Sequence, residues 1–339
     1  MKTILITGAG GFIGGELARK ISSEKPDVII KAMVHSGKKS KAALEAIPNC
    51  SIFQGDIVNP LSFEDQLRNV DQIYHLAAFA KVWSPDPNTF YRINVEGTKN
   101  VLDAAVKHNV KRVVITSTAG TFGPQFNNQL VTETIQQPLP PFTEYERTKL
   151  EALKLAKSYS SHIEVVFVSP TRVYGPGELS VSNAATKVMD QYVNKGLRFV
   201  PGDGKKVGNY VFVEDIIEGH MLAMKNGKNG ENYILGGENL TYLDMFQQIG
   251  EIAGIQRKMI PTPIPIMMAG ARSMEFMANT FKKEPIILPP FIRKYTHDWG
   301  TDISKAQLEI GYTVTPFKEG VKKTLEWLRS NREHLNQAS

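Results

Sequence analysis

Tyr145 and Lys149 stand four residues apart, a spacing that sets a phenol and an ammonium on one face of a helix. Such a pair could move a proton. A phenol with its ordinary pKa near 10 is a poor acid–base group at neutral pH, and a neighbouring cation favours the phenolate and lowers that value. The pair alone says little. About one Tyr-x-x-x-Lys arises by accident in a chain of this composition, and an amphipathic helix showing both to solvent has the same pattern. Position separates the two readings. The apolar run at 112–116 ends in Thr116-Ser117-Thr118, placing hydroxyls at the carboxyl end of the fifth strand-like run. Thr118 could hold a reacting oxygen against Tyr145, and Thr143 with Glu146 forms a capping box that would start the helix.

The second group of residues opens the chain: Thr-Ile-Leu-Ile-Thr-Gly-Ala-Gly-Gly-Phe-Ile-Gly over residues 3–14. A buried-type strand (Ile4, Leu5, Ile6) runs into glycines, and a helical pattern (Phe12, Ile13, Leu17, Ile21) follows. Gly8 would permit the tight turn, Gly11 the approach of a diphosphate, and Gly14 close packing of helix on strand. The helix then offers free N–H groups and a positive dipole end to the phosphates of a dinucleotide. An ordinary glycine-rich turn without a ligand is the plainer alternative.

These residues need a frame to hold them. Apolar runs at 3–7, 28–34, 51–54, 72–77, 112–116 and 164–168 alternate with helical patterns near 12–22, 60–68, 88–107 and 144–160. Alternation of this kind predicts an α/β fold, a Rossmann-type doubly wound parallel sheet whose ligands lie beyond the carboxyl ends of its strands. After residue 170 the pattern loosens. Helical stretches at 181–195 and 317–332 and short strands at 210–213 and 233–235 suggest a smaller, mostly helical substrate lobe over 171–339. The cofactor domain then spans 1–170, with a return segment near 208–236.

Composition narrows the classes. The chain has 339 residues, 42% apolar and 22% charged, as soluble globular proteins do. One cysteine, Cys50, excludes a disulfide framework and suggests a reducing compartment such as the cytoplasm. The seven histidines lack metal-ligand spacing, so no metal is expected. The charge of +6 is scattered in pairs such as Lys38-Lys39 and Lys205-Lys206, a solvated surface rather than a nucleic-acid footprint. The first apolar run is cut by Gly8 after too few residues for a signal peptide, and no run is long enough for an integral membrane segment.

Taken in order, the motifs resemble the extended short-chain dehydrogenases/reductases of the NAD-dependent epimerase/dehydratase superfamily, in a dihydroflavonol-4-reductase-like branch. Thr7-Gly8-x-x-Gly11-x-x-Gly14 is similar to the family's dinucleotide turn, and Gly55-Asp56-Ile57 to the segment contacting adenine. Asp71-Gln-Ile-Tyr-His75-Leu76-Ala77-Ala78 resembles its fourth-strand signature and Asn94-Val-Glu-Gly97-Thr98 the following helix. Thr116-Ser117-Thr118, Tyr145-x-x-x-Lys149, Pro170-Thr171-Arg172-Val173-Tyr174-Gly175-Pro176 and Asp302-Ile-Ser304-Lys305-Ala306 complete the series. The resemblance implies Tyr145 as general acid/base, Lys149 on the nicotinamide ribose while lowering the phenol's pKa, and Thr118 orienting the substrate oxygen. It further implies cofactor contacts from Gly8, Gly11, Phe12, Ile13, Gly14, His35, Ser36, Lys38, Asp56, Ile57, Leu76, Ala77, Ala78, Thr116, Pro170, Thr171 and Val173. Substrate contacts fall to Lys81, Thr118, Tyr145 and Arg172, and the helices near 88–107 and 144–160 are where a homodimer would pack, with a monomer as the alternative.

The second strand ends His35-Ser36-Gly-Lys38-Lys39, without the Asp or Glu that holds an NAD ribose diol. That favours NADP(H), with NAD(H) as the alternative and a merely solvated loop as the plain reading. The arginine that grips a sugar nucleotide's diphosphate in related enzymes is replaced by Gly208 or Asn209, although Arg172, Arg257 or Arg272 could substitute. The stripe Met267, Met268, Met274, Phe276, Met277, Phe281 most simply packs in the core. An apolar substrate pocket or a surface helix facing a membrane or an acyl carrier are the alternatives. The expected function is therefore NADP(H)-dependent reduction of an apolar ketone or oxidation of the alcohol. A nucleotide-sugar 4-epimerase or dehydratase with tightly bound NAD is the first alternative, and a dinucleotide-sensing non-enzyme the second.

Overall fold

The run at residues 3–7 becomes β1 (Thr3–Thr7), a strand buried along its whole length because parallel strands flank it on both sides. The computed structural model describes residues 1–35, 38–135 and 139–337, and the side chains of these except 38–40 and 332–337. The strands that follow are β2 (Ile29–Val34), β3 (Cys50–Gln54), β4 (Gln72–His75), β5 (Arg112–Thr116), β6 (Glu164–Pro170), β7 (Arg172–Tyr174), β8 (Phe199–Pro201), β9 (Val207–Phe212), β10 (Asn232–Leu235), β11 (Glu238–Thr241) and β12 (Ile260–Thr262). The helices are α1 (Phe12–Glu24), α2 (Lys38–Glu45), α3 (Thr89–Tyr91), α4 (Gly97–Lys107), α5 (Glu144–Lys157), α6 (Ala184–Lys195), α7 (Val213–Asn226), α8 (Tyr242–Ala253), α9 (Ile264–Phe281), α10 (Pro289–Lys294), α11 (Ser304–Ile310) and α12 (Phe317–Gln337).

Seven parallel strands form one sheet in the order β10-β6-β5-β4-β1-β2-β3. Strand alternation divides its core in two. Ile4 and Ile6 of β1 join Val114 and Val166 in the layer under α1 and α7, whereas Leu5 joins Ile73, Val113 and Val165 in the layer under α4 and α5. Chain reversal lies between β1 and β4, so a crevice opens at their carboxyl ends, which is where ligands bind in such sheets. The remaining strands make a three-stranded sheet, β11-β9-β7, and a parallel pair, β12-β8.

Several expectations shift. The strand expected at 210–213 is β9, which stays in the small sheet, and β10 is the later segment that returns to the main one. The helical stretch expected at 60–68 is two single 3₁₀ turns, Pro60–Ser62 and Glu64–Leu67, broken at Phe63. A π-helical turn, Arg92–Glu96, joins α3 to α4 within the expected helix. The methionine and phenylalanine stripe forms α9, and core packing does not account for it. Ala271 and Ala278 are the buried residues of the helix; of the stripe, Met267, Met268 and Met274 are half-buried, while Phe276, Met277 and Phe281 are 70%, 52% and 63% exposed, as is the neighbouring Ile266 at 65%. No helix among the described residues is long and apolar enough to cross a membrane.

Candidate active site

Gly8 leaves β1 with φ +70°, a left-handed conformation that favours glycine, and a Cβ there would lie 2.7 Å from the amide nitrogen of Ala77. A Cβ on Gly14 would overlap the carbonyl oxygen of Gly8, so the first turn of α1 rests directly on the loop. Gly11 is the N-cap residue of α1 and supplies no side-chain cap, and no acidic residue lies in the first turn. The amides at that end are thus left to an outside acceptor, and the residues fit a diphosphate. Phe12 is buried beneath Gly177, whose hypothetical Cβ would come within 2.5 Å of the Phe12 ring. A cavity of about 350 Å³ lies here, lined by Gly10, Gly11, Gly15, Arg19 and Gly177 among others.

At the ends of β2 and β3, His35 is exposed and its Nε2 lies 3.8 Å from Oδ2 of Asp56. Asp56 also accepts from the amide of Val58 at 2.9 Å, fixing the turn after β3. Ile57 is buried against Gly97, where a Cβ would strike its side chain at 2.6 Å. Ser36 and the side chain of Lys38 lie outside the described residues.

At the end of β4, His75 joins three elements. Its Nδ1 is 2.8 Å from Thr7 Oγ1, and its Nε2 is 3.0 Å from Thr98 Oγ1. Thr98 donates its own hydrogen to the carbonyl of Asn94, so it must accept from His75, and the imidazole carries its proton on Nε2. Thr7 accepts from the amide of Ala77 at 3.2 Å and donates to Nδ1. Burial, and secondarily the charge of Lys149, drives the His75 pKa down to about 3, so the ring is neutral. Leu76, Ala77 and Ala78 continue from this anchor along the crevice floor. Asn94, in the π turn, accepts from the amide of Phe79 at 2.7 Å and donates to Thr148 Oγ1 at 3.0 Å, tying the loop after β4 to α5.

The capping box of α5 is complete. Thr143 Oγ1 accepts from the amide of Glu146 while the Glu146 carboxylate accepts from the amides of Thr143 and Phe142. Glu146 is buried and ion-paired with Lys294 of α10, whose ammonium also lies 4.6 Å from the ring centre of Trp299. Thr118 caps the short turn Ala119–Phe122 by accepting from the amide of Gly120 at 3.2 Å. That turn packs on the start of α5: a Cβ on Gly120 would meet Oε1 of Glu146 at 2.6 Å. The hydroxyls after β5 and the helix carrying Tyr145 and Lys149 therefore share one end of the sheet.

Lys149 is buried, and desolvation lowers its pKa to about 8. Burial, followed by the charge of Glu146, pushes Tyr145 up to about 12. The expectation of a lowered phenol is thus not met in the protein alone. The charge that shifts it is an anion, and Lys149 is itself weakened as a cation by its burial.

Other expected residues have partners of their own. Thr116 Oγ1 donates to Nε2 of His220 at 2.8 Å, because His220 Nδ1 already donates to the carbonyl of Ile216 at 2.7 Å. The Thr116 hydroxyl is left as an acceptor only. Thr171 donates to Asn209 Oδ1 at 2.7 Å, following Pro170, and Val173 is buried. Lys81 pairs with Glu284 at 3.0 Å on the rim rather than standing free. Arg172 lies between the rings of Tyr210 and Tyr242. The sequence reading missed Glu146 with Lys294, and His220 with Thr116, because those partners are separated by 148 and 104 residues. Only the capping motif hinted at Glu146. Among the described residues no cluster of His, Cys, Asp or Glu could hold a metal.

Residues 4–236 match the model of the NAD dependent epimerase/dehydratase family. The chain is 27% identical to sterol demethylase protein B of Methylococcus capsulatus, over 96% of this chain and 98% of that protein. It is 25% identical to a Synechocystis protein named "Putative dihydroflavonol 4-reductase", over 96% of this chain and 94% of that one. Among solved structures, that of gox2253 superposes with a TM-score of 0.80 at 26% identity, over 98% of this chain and 99% of that one.

Proposed function

The chain belongs to the NAD dependent epimerase/dehydratase family and is an NAD(P)-dependent enzyme of the extended short-chain dehydrogenase/reductase type, and on that footing we propose that it is a carbonyl reductase or secondary alcohol dehydrogenase using NADP(H) on an apolar ketone or alcohol. In this reading the cofactor domain is 1–170 with a return near 208–236, and 171–339 supplies the substrate side. The observation that carries it is the phenol, ammonium and hydroxyl set at one sheet end, beside a helix terminus left without a cap.

A nicotinamide dinucleotide supplies the hydride in the reducing direction and takes it in the other. The chain's residues handle the proton. A phenol raised to about 12 is protonated at neutral pH, so Tyr145 is ready to give its proton to the oxygen of a carbonyl accepting hydride. The lone pair of Thr118 Oγ1 faces the Gly120 amide, which leaves its hydrogen for the same oxygen. Lys149 would hold the ribose hydroxyls and stabilise the phenolate once the proton has gone. The lack of an acidic residue at the end of β2, with His35 exposed there, supports NADP(H) over NAD(H).

The purified full-length protein, assayed with NADPH and NADH against apolar ketones, aldehydes and sugar nucleotides, is expected to oxidise NADPH with the apolar ketones. Conversion of sugar nucleotides without net cofactor oxidation, with stoichiometric NAD released on denaturation, would overturn this in favour of a 4-epimerase or dehydratase.

A further inference from the structure

α9 presents an uncharged side outward. At about 100° per residue, its outer arc runs from Ile266 through Ser273 and Met277 to Phe281, with Phe276 at one edge. Every residue on that arc is exposed and none is charged. The buried Ala271 and Ala278 mark the opposite side, where Glu275, the one carboxylate of the helix, is half-buried. A surface helix ordinarily places its charges on the outer face and its apolar residues beneath. Here that order is inverted.

Cations gather at the margins of the arc. Arg272 stands beside it, Lys282 and Lys283 follow its last turn, and Arg198 and Lys258 flank the β12-β8 pair on which the helix begins. All five are exposed, and none forms an ion pair among the described residues. Glu284, the next carboxylate along the chain, is held by Lys81 at 3.0 Å. At the other end of α9, the half-buried Met267 joins Phe199, Val200, Pro201 and Thr262 around a cavity of about 350 Å³ with almost wholly apolar walls. Such a cavity receives hydrocarbon rather than water. The Lys81–Glu284 pair on the crevice rim follows Phe281 by three residues, so α9 leads to the mouth of the proposed reaction centre.

We propose that α9 is an interfacial helix that seats the protein on an anionic lipid bilayer. Its apolar arc enters the boundary between headgroups and acyl chains, and the five cations meet headgroup phosphates. Two other occupants fit less well. With 18 residues α9 is about 27 Å long, and its outer face offers roughly 300 Å² against about 800 Å² per partner in a stable dimer. A second copy docked two-fold on the same face would also set these cations against one another. An acidic protein would answer the cations, but Ile266, Phe276 and Phe281 project from a convex surface and would need a matching groove. A fluid acyl layer closes round such side chains without one. Binding to the bilayer stands apart from the reductase reading; together with that reading, it puts the source of an apolar substrate beside the crevice rim.

The full-length protein is sedimented with vesicles of phosphatidylcholine, alone or with about one third phosphatidylglycerol, in about 50 mM and about 500 mM NaCl. At low salt it is expected to bind the anionic vesicles at least tenfold more strongly than the neutral ones, and high salt should remove most of that difference. Phe276→Ser with Phe281→Ser should lower binding to the anionic vesicles at least tenfold with Tm unchanged, because both rings are exposed. Lys282→Gln with Lys283→Gln should lower it at least fivefold and leave binding to neutral vesicles as it was. Absent binding, or equal binding to the two kinds of vesicle, would overturn the proposal. So would binding undiminished in either double variant. Dimerisation that the phenylalanine double variant abolishes, without vesicle binding, would overturn it in favour of a second copy. Polyglutamate that displaces the protein from vesicles at an equal concentration of charge would overturn it in favour of an acidic protein.

Discussion

The two helices that frame the crevice begin in opposite ways. α1 starts at a glycine with no side-chain cap and no acidic first turn, whereas α5 starts inside a full capping box with its carboxylate sealed by Lys294. Under the proposed function the difference separates two tasks. A helix terminus without a cap leaves its amides unsatisfied until an acceptor arrives. A helix with a full capping box satisfies its own amides, so its first turn, with Tyr145, is held whether or not a ligand is present. His75 spans the two, bonded to Thr7 at the foot of the open turn and to Thr98 behind the π turn that braces α5.

The sharpest way to break this division is at the sealed helix. Tyr145→Phe should lower turnover about a thousandfold while NADPH still binds, as read by steady-state rates beside a fluorescence titration. Near-normal turnover would remove Tyr145 from the chemistry. Acid should next loosen the span between the helices. His75 and His220 are held neutral by burial, with pKa values near 3 and 4, while the unfolded chain takes up their protons near 6.5. Their contribution is present above pH 6.5 and is lost as pH falls, by about 2 kcal/mol for each histidine between pH 6.5 and 5. Urea unfolding at both pH values, compared with His220→Gln, checks the slope.

The third test makes α1 resemble α5. Gly11→Asp supplies a cap and a negative charge where a diphosphate would lie. NADPH affinity should fall about tenfold or more, with stability of the free protein changed by no more than about 1 kcal/mol. Unchanged affinity would deny the open terminus its role. The smallest effect is expected from Thr143→Ala, which removes one half of the box at a cost of about 1 kcal/mol in unfolding free energy and leaves NADPH affinity unaltered.

Much of this could be read locally. Ile4, Leu5 and Ile6 announce a strand buried on both faces, and the structure sends alternate residues to two separate layers. The capping box of Thr143 and Glu146 is a four-residue pattern and appears as expected. What escaped depends on distance in sequence. Nothing near Glu146 indicates Lys294, and nothing near Arg172 indicates that Gly208 makes room for its guanidinium. The phenol's pKa went the other way because burial and an adjacent carboxylate raise it, while Lys149 is itself desolvated. The stripe on α9 was misread for a different reason: apolar spacing shows that a face exists, not that anything covers it.

That bare stripe governs how the protein behaves outside its own fold. With Ile266, Phe276, Met277 and Phe281 all turned to water along one rod, solubility depends on the charges around them rather than on concealment. Salt that screens those charges removes the repulsion between molecules and strengthens apolar adhesion at the same time, so turbidity on concentration should begin at this helix before any strand of the central sheet has opened.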